Sequence, residues 1–557
     1  MTDTAVTGQR LDGRDVLVAL ALFAATLALL LATMGVGFTR DESFYFHAAF
    51  QYLGWFKDLW HNWHAGHLAE SFTKANIDHH WSYNREHPVL MKAAFALSYA
   101  LFHEKLGWMS ASTAMRFPAA VTAASLISCV YLFGRQLHGR AAGLVAAGAM
   151  LLQPRFFFHA HMAAFDVPIT AFWVWTVYAY WRSLESRGWA VATGVLWGLA
   201  LSVKLNAFFI PFVLGLHWLT ANWRGFGLPR DPETGRRSVR IGRFPLAFLS
   251  MAVLGTLLFH LLWPRHWFDT FDRVKWYISF HLNHVHYFVY YFGQNIQQPP
   301  LPISYPWVMT LLTVPATILL AFGIGLFYGA RRRRLRKDAR ATGVLLAINI
   351  IFPIALISLP STPIFGGTKH WMQAMPFLAI VAGGGVVHAA RAVWDDRHLS
   401  HAAARAAVTA LLALAVLGPA AYATAESHPF GTSYYNELIG SYRGAADARM
   451  FRQFWGYAGR YGLDWLDANA PKRARVYTHN TTGYAWSMYR RDGLVRKDLR
   501  PSSIGGSDYA LFHYQKAFVY KLIDIWQSYG TMTPARVVTI DGVPVLAIYE
   551  RRRGTGN

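Results

Sequence analysis

A small set of charged side chains sits where an apolar chain seldom keeps them. The pair Asp41-Glu42, in GFTRDESFYF, follows directly on a stretch apolar enough to lie in lipid. Glu86 stands in NREHPVL, Asp166 opens another apolar stretch in HAHMAAFDVPITAF, and Lys204 in LALSVKLNAFF divides two more. An ionisable group at the centre of a span costs roughly 2.5–3.5 kcal/mol on insertion scales, so those retained near its edge invite a functional reading. Carboxylates there can take a proton from a nucleophile or hold a divalent ion, and a lysine can neutralise a phosphate. Together they suit a substrate that is half lipid and half sugar. Each also has a plainer reading: Asp41-Glu42 as a solvated loop, Asp166 as a carboxylate favoured at a helix N-terminus, and Lys204 as a snorkelling cation.

The surrounding chain is that of a membrane protein. Of its 557 residues 54% are hydrophobic, 16% aromatic and only 15% charged, too apolar for an ordinary soluble domain. The balance of 53 Lys+Arg against 30 Asp+Glu, net +23, could point to nucleic acid. Its basic residues come in short blocks between apolar stretches, a topological pattern that speaks against nucleic acid. The one cysteine, Cys129, lies inside an apolar run and excludes an internal disulfide framework.

Taking about 20 apolar residues per span, about eleven candidates emerge, near 16–37, 111–133, 141–158, 167–182, 189–203, 205–222, 243–263, 303–329, 341–360, 372–390 and 405–423. The first lacks a small-residue cleavage site and reads as an anchor. Basic residues at Arg10/Arg14, Arg135/Arg140, Arg182/Arg187, in RGFGLPRDPETGRRSVRIGR, in RRRRLRK (331–337) and at Arg391/Arg397/Arg405 fall on alternate connections, which marks that side as cytoplasmic. Asp41, Glu86, Asp166 and Lys204 then all face outward. The expected fold class is an α-helical polytopic membrane protein: a transmembrane module over 1–423 with a long first extracytoplasmic loop (38–110), followed by an extracytoplasmic α/β domain over 424–557. The loop mixes aromatics with charges and suits helices lying in the membrane interface. In the tail, ARVYTHN, DYALFHY and RVVTIDGVPVLAIYE read as strands with an Asp541-Gly542 hairpin turn, beside amphipathic segments at 446–468 and 516–528.

The histidines His61/His64/His67, His79/His80, His159/His161 and His281/His284/His286 have spacings compatible with a metal, but no closed four-ligand pattern, and interfacial histidines commonly serve headgroups. The aromatic segment 263–307 suits either the entrance for a carrier lipid or an ordinary aromatic belt.

The order of several motifs carries a resemblance. RDESFYFHAAFQYLGW, NREHPVLMKAAFALSYALF, RFPAAVTAASLISCVYLFGRQL, HMAAFDVPITAFWVW, GLALSVKLNAFFIP and TKHWMQAMPFLAIVAGG occur in the succession seen in GT-C glycosyltransferases, and HPFGTSYYNELIGSYRGA resembles a segment after the last span of many bacterial members. The chain most resembles the family 39 type, which comprises protein O-mannosyltransferases and aminoarabinose transferases. The resemblance implies a cytoplasmic-membrane enzyme. It would move a sugar, with inversion, from a polyprenyl-phosphate carrier to a lipid, protein or glycan acceptor outside. It implies catalytic roles for Asp41 and Asp166, with Glu42 beside them, and substrate-binding roles for Glu86, His87, Lys204, Lys369 and His370. His87 stands where the aminoarabinose transferases carry a lysine. No cofactor is certain, though a divalent metal ion is compatible with the carboxylates.

A transporter or flippase of a lipid-linked glycan is the competing class. It would show repeated halves and a midplane site, whereas this sequence has no evident repeat and gathers its charges at one boundary. A silent member whose tail binds cell-wall material is a third reading, opposed by the intact Asp41, Asp166 and Lys204.

Overall fold

The computed structural model describes residues 9–222, 244–333, 341–364 and 366–552. The loop RGFGLPRDPETGRRSVRIGR and most of the RRRRLRK run lie outside these residues. Every one of the eleven apolar stretches falls on a helix or a pair of helices, but they are unequal. Gly13–Ala32, Ala111–His138, Met372–Asp396 and Ala402–Ser427 are long and apolar enough to cross a membrane alone. Arg140–Leu151 with Pro154–Ala160, and Tyr305–Thr313 with Ala316–Arg331, are bent pairs at 73° and 112°. Both bends fall at a proline, Pro154 and Pro315, where the missing N–H and the ring interrupt a continuous helix. Leu205–Ala221, Leu246–Leu262 and Thr342–Ile357 are shorter apolar helices. The protein is a multi-pass helical membrane protein, and the large exposure of Leu17, Leu20, Leu411 and Leu414 on its outer helices fits a lipid-facing surface.

Helix Ala111–His138 is the centre of the bundle, packed against Gly13–Ala32, Arg140–Leu151, Asp166–Ser183 and Met375–Asp396. Small residues allow the close approaches: a Cβ on Gly143 would lie 2.6 Å from the Tyr131 carbonyl oxygen, and one on Gly385 2.1 Å from that of Ala321. This is the packing expected of helices that associate by fit rather than by hydrophobic exclusion. At one end of the bundle Asp15 accepts from Arg135 at 2.9 Å and Arg140 at 2.8 Å. The candidate chemistry lies past the other end of that first helix.

The first loop is helical as expected, running through Arg40–Ala65, Leu68–Phe72, Lys74–Trp81 and Leu90–Ser98. Thr39 and Glu42 form a reciprocal capping box at the start of Arg40–Ala65, and Gly66 closes that helix in the left-handed conformation at φ 80°. Between Trp81 and Leu90 the chain turns through Asn84 at φ 53°, a conformation asparagine tolerates.

The tail forms a five-stranded sheet. Its strands, from one edge to the other, are Arg500–Pro501, Arg475–Tyr477, Tyr509–His513, Val543–Glu550 and Arg536–Ile540. The first three run parallel and the last two pair antiparallel. The Asp541-Gly542 turn is present, with both residues at positive φ and Ile540 opposite Val543. Helix Val519–Tyr529 matches the amphipathic segment expected at 516–528. The segment 446–468 is helical only from Tyr457 onward, through the short helix Tyr457–Gly459 and then Arg460–Asn469, apart from the end of helix Ser441–Asp447. Left-handed residues at Arg449, Trp455 and Gly456 break the rest, because this stretch runs against the first loop.

That contact is intimate. The amide of Arg40 donates to the Trp455 carbonyl at 2.8 Å, and the amide of Phe38 to the Tyr489 hydroxyl at 2.6 Å. The Phe38 and Tyr489 rings stack at 4.3 Å. A Cβ on Gly37 would lie 2.1 Å from the Tyr457 carbonyl oxygen, whereas one on Gly35 meets nothing within 4 Å. Gly37→Val therefore has to lift the tail from the first loop. Limited proteolysis should release a C-terminal fragment from Gly37→Val faster than from wild type, with Gly35→Ala indistinguishable from wild type.

Candidate functional site

Two carboxylate–lysine pairs define the site. Asp41, in the first turn of its interfacial helix, accepts from Lys369 Nζ at 3.1 Å. Asp41 remains 31% exposed while the lysine is 4% exposed. Lys369 comes from the turn Gly367–His370 just before helix Met375–Asp396, and its ammonium lies 3.9 Å from the centroid of the Trp455 ring. A buried ammonium is thus satisfied by a carboxylate on one side and an aromatic face on the other. His370 is half-buried in the same turn.

The second pair is Asp166 with Lys204, at 2.7 Å. Asp166 is the first residue of helix Asp166–Ser183, where the helix dipole favours a negative charge. Lys204 is the extended residue between helix Arg187–Leu201 and the short helix Leu205–Phe209, so the break in the apolar pattern is a break in the backbone too. His159 Nδ1 lies 3.9 Å from the other oxygen of Asp166.

Glu86 and His87 complete the cluster. Asn84 donates its side-chain amide to Glu86 at 2.7 Å. The Tyr45 ring packs edge-on against the His87 ring with centroids 5.6 Å apart; burial raises the pKa of its phenol well above the usual range, and the charges of Asp41, Asp166 and Glu86 raise it further. His87 keeps some contact with solvent but is densely surrounded. Burial drives its pKa well below the usual value, and Lys92, Lys204, His281 and Lys369 push in the same direction, so its ring is neutral near pH 7.

Glu42 does not join Asp41 in facing the site. It is fully buried and forms a bidentate pair with Arg116, at 2.7 Å to Nε and 2.8 Å to the terminal nitrogen. It also accepts from the Ala163 amide at 2.8 Å and the Thr39 amide at 3.3 Å. Four donors on two oxygens leave it no spare capacity for a substrate proton, so its place beside Asp41 in sequence is not a shared role in the site.

Three residues escaped the sequence reading. Arg116 pairs with Glu42 and also donates to the carbonyls of Met34, Val36 and Gly37. Lys92, fully buried, donates to the Asn84 carbonyl at 2.7 Å, the Asn84 side chain at 3.3 Å and the His87 carbonyl at 2.9 Å, and so holds the turn that carries Glu86. Trp455 is the third. The available signal for the first two was the cost of a lone cation in STAMRFPAA and in LMKAAFALS; nothing local marked Trp455.

The histidine clusters are divided among separate partners. His80 meets Asp58 at 2.8 Å, His64 the Trp60 carbonyl at 2.8 Å, and His281 the Glu86 carbonyl at 3.0 Å. Among the described residues no three His, Cys, Asp or Glu side chains gather as a set that could hold a metal ion.

Residues 86–228 match the family described as dolichyl-phosphate-mannose-protein mannosyltransferase. The match contains Glu86, His87, Asp166 and Lys204, whereas Asp41 and Lys369 lie outside it. No curated relative matches the sequence. Among solved structures, the chain is similar to ArnT from Cupriavidus metallidurans bound to undecaprenyl phosphate, at 14% identity and a TM-score of 0.46, over 96% of this chain and 97% of that one. It is also similar to the oligosaccharyltransferase AglB from Archaeoglobus fulgidus in complex with an inhibitory peptide and a dolichol-phosphate, at 12% identity and a TM-score of 0.47, over 92% of this chain and 71% of that one.

Lys92 provides a test of the site's electrostatics. Burial lowers its pKa to about 7, with the charge of Glu86 opposing the shift. An unfolded lysine keeps its proton to about 10.4. Between these values the unfolded chain binds more protons than the folded one, so unfolding free energy rises with pH across that window. The burial penalty is fully present below about 7 and is relieved above it. The thermal midpoint of wild type relative to Lys92→Met should therefore increase from pH 7 to pH 10; a flat difference would mean that Lys92 keeps an ordinary pKa.

Proposed function

We propose that this protein transfers a sugar from a polyprenyl-phosphate carrier to a hydroxyl of an acceptor on the outer side of the cytoplasmic membrane, with inversion at the anomeric carbon. The observation that carries the reading is the pairing of Asp41 with Lys369 and of Asp166 with Lys204 around Tyr45 and His87. The mannosyltransferase-family match over 86–228 supports it. Residues 1–423 form the transferase module, and 424–557 cover the outward site and shape access to it.

The chemistry follows from the charges. The carrier phosphate takes over the ammonium groups of Lys369 and Lys204 that Asp41 and Asp166 hold in its absence. The acceptor oxygen attacks the anomeric carbon from the face opposite the phosphate. As that bond forms, the bond from carbon to phosphate oxygen breaks and its electron pair stays on the leaving phosphate, where a fixed ammonium stabilises the developing charge. The hydroxyl proton passes to Asp41. Asp41 suits the role because it is the more exposed of the two carboxylates and opens a helix on the side where an acceptor arrives. Glu86, neutral His87 and His370 line the sugar and phosphate. Glu42 positions Asp41 through Arg116. A flippase gains no support, since its charged residues would surround a path through the bilayer midplane.

Proton removal by a positioned carboxylate contributes about 10²–10⁴-fold in rate. Asp41→Asn should lower transfer from a polyprenyl-phosphate sugar by roughly that factor in detergent, with membrane insertion unchanged. If Asp41→Asn transfers at the wild-type rate and Asp166→Asn does not, the base is Asp166.

A further inference from the structure

Arg40 and Phe44, one turn apart on the helix that carries Asp41, face an open cleft of about 500 Å³ whose other wall is Thr482, Gly483, Tyr484 and Ser487 of the tail; Asp41 lies next to this cleft in sequence, turned toward Lys369. The Tyr484 ring is fixed in place. It lies parallel to the His47 ring at 4.4 Å and 17°, and meets the Phe44 ring edge-on at 5.8 Å and 77°. Even so, Tyr484 remains 37% exposed. The two walls are locked together, with the Ser43 and Thr482 hydroxyls 2.7 Å apart and Thr482 capping the helix Gly483–Arg491. The Arg40 guanidinium extends over the Phe44 ring at 5.6 Å.

A preorganised, half-exposed aromatic face beside a guanidinium and hydroxyl groups fits a sugar ring. The apolar C–H face of a pyranose stacks on an aromatic ring, and its hydroxyl edge takes hydrogen bonds from the polar rim. Other acceptors fit less well. An extended peptide is best held by a strand edge, and both walls of this cleft are helical. A lipid chain needs a long apolar groove, and this cleft is short, open and partly polar. We infer that the cleft binds a saccharide unit of the acceptor, so that the hydroxyl presented to Asp41 belongs to a glycan or a glycan-bearing molecule. This rests on the transfer reading for the identity of the occupant as acceptor; the binding itself does not.

The test is saturation-transfer NMR on the full-length protein in detergent, with soluble tetrasaccharides of glucose and of N-acetylglucosamine and a Ser/Thr-rich peptide as comparator. At least one tetrasaccharide should bind wild type and Tyr484→Phe, which keeps the ring. Tyr484→Ala should weaken that binding about tenfold, the loss of one stacked face. Ser487→Trp, which fills the cleft, should abolish it without touching the stack on His47. Binding of neither tetrasaccharide, binding unaffected by both Tyr484→Ala and Ser487→Trp, or binding of the peptide alone would overturn the inference. Tetrasaccharide binding in a protein that consumes no polyprenyl-phosphate sugar would contradict the transfer reading and uphold the cleft. Transfer to the peptide at the wild-type rate by Ser487→Trp would do the reverse.

Discussion

The site depends on the buried ion pair between Glu42 and Arg116. Arg116 enters from the central helix of the bundle and gathers the carbonyls of Met34, Val36 and Gly37 at the end of the first span. Glu42 accepts from Arg116, from the Thr39 amide that starts the interfacial helix, and from the Ala163 amide just before Asp166. One charge pair thus sets the direction in which the chain leaves the first span, the start of the helix that carries Asp41, and the position of the segment that leads into Asp166. Desolvating two charges is expensive, and removing one partner of such a pair costs about 3–5 kcal/mol because the other is left buried and uncompensated. The complete hydrogen bonding of both groups is what makes the arrangement tenable, and its return is placement more than stability.

On that frame the site alternates sign at short range. Each carboxylate rests against a lysine, and each lysine is mostly withdrawn from water. In such surroundings charges interact far more strongly than at the surface. Under the proposed transfer, an incoming phosphate competes by meeting the same lysines and frees the carboxylates. The tail takes part directly, since Trp455 lies against Lys369 and its backbone fixes Arg40. At Gly37, between the first helix and the acidic pair, the Tyr457 backbone lies so near that a side chain has no room.

The sequence was most legible where structure is local. The apolar stretches, the helical first loop and the Asp541-Gly542 hairpin follow from periodicity and turn chemistry within a few residues. The unequal lengths of the spans were less visible, because a proline inside an apolar run reads as apolar until it bends the helix. Asp41 and Lys369 stand 328 positions apart, so their pairing is a property of the fold alone. The separate surroundings of Glu42 were hidden for a related reason: adjacent carboxylates on a helix point about 100° apart, and here Asp41 meets Lys369 while Glu42 meets the buried Arg116. Lys92 and Arg116 left a trace in their apolar surroundings, but a lone cation does not announce its partner. The irregular chain around Trp455 left none, since left-handed residues there are imposed by tertiary contact.

The central claim is that Asp41 holds Lys369 in reserve for the carrier phosphate and is released by it. Equilibrium binding of polyprenyl phosphate to Asp41→Asn measures this most directly, because the variant frees Lys369 from its carboxylate without changing its surroundings. The account predicts that Asp41→Asn binds the carrier at least as tightly as wild type and that Lys369→Met binds it at least about tenfold more weakly, a loss of about 1.4 kcal/mol. Weaker binding by Asp41→Asn, or binding by Lys369→Met equal to wild type, would contradict it.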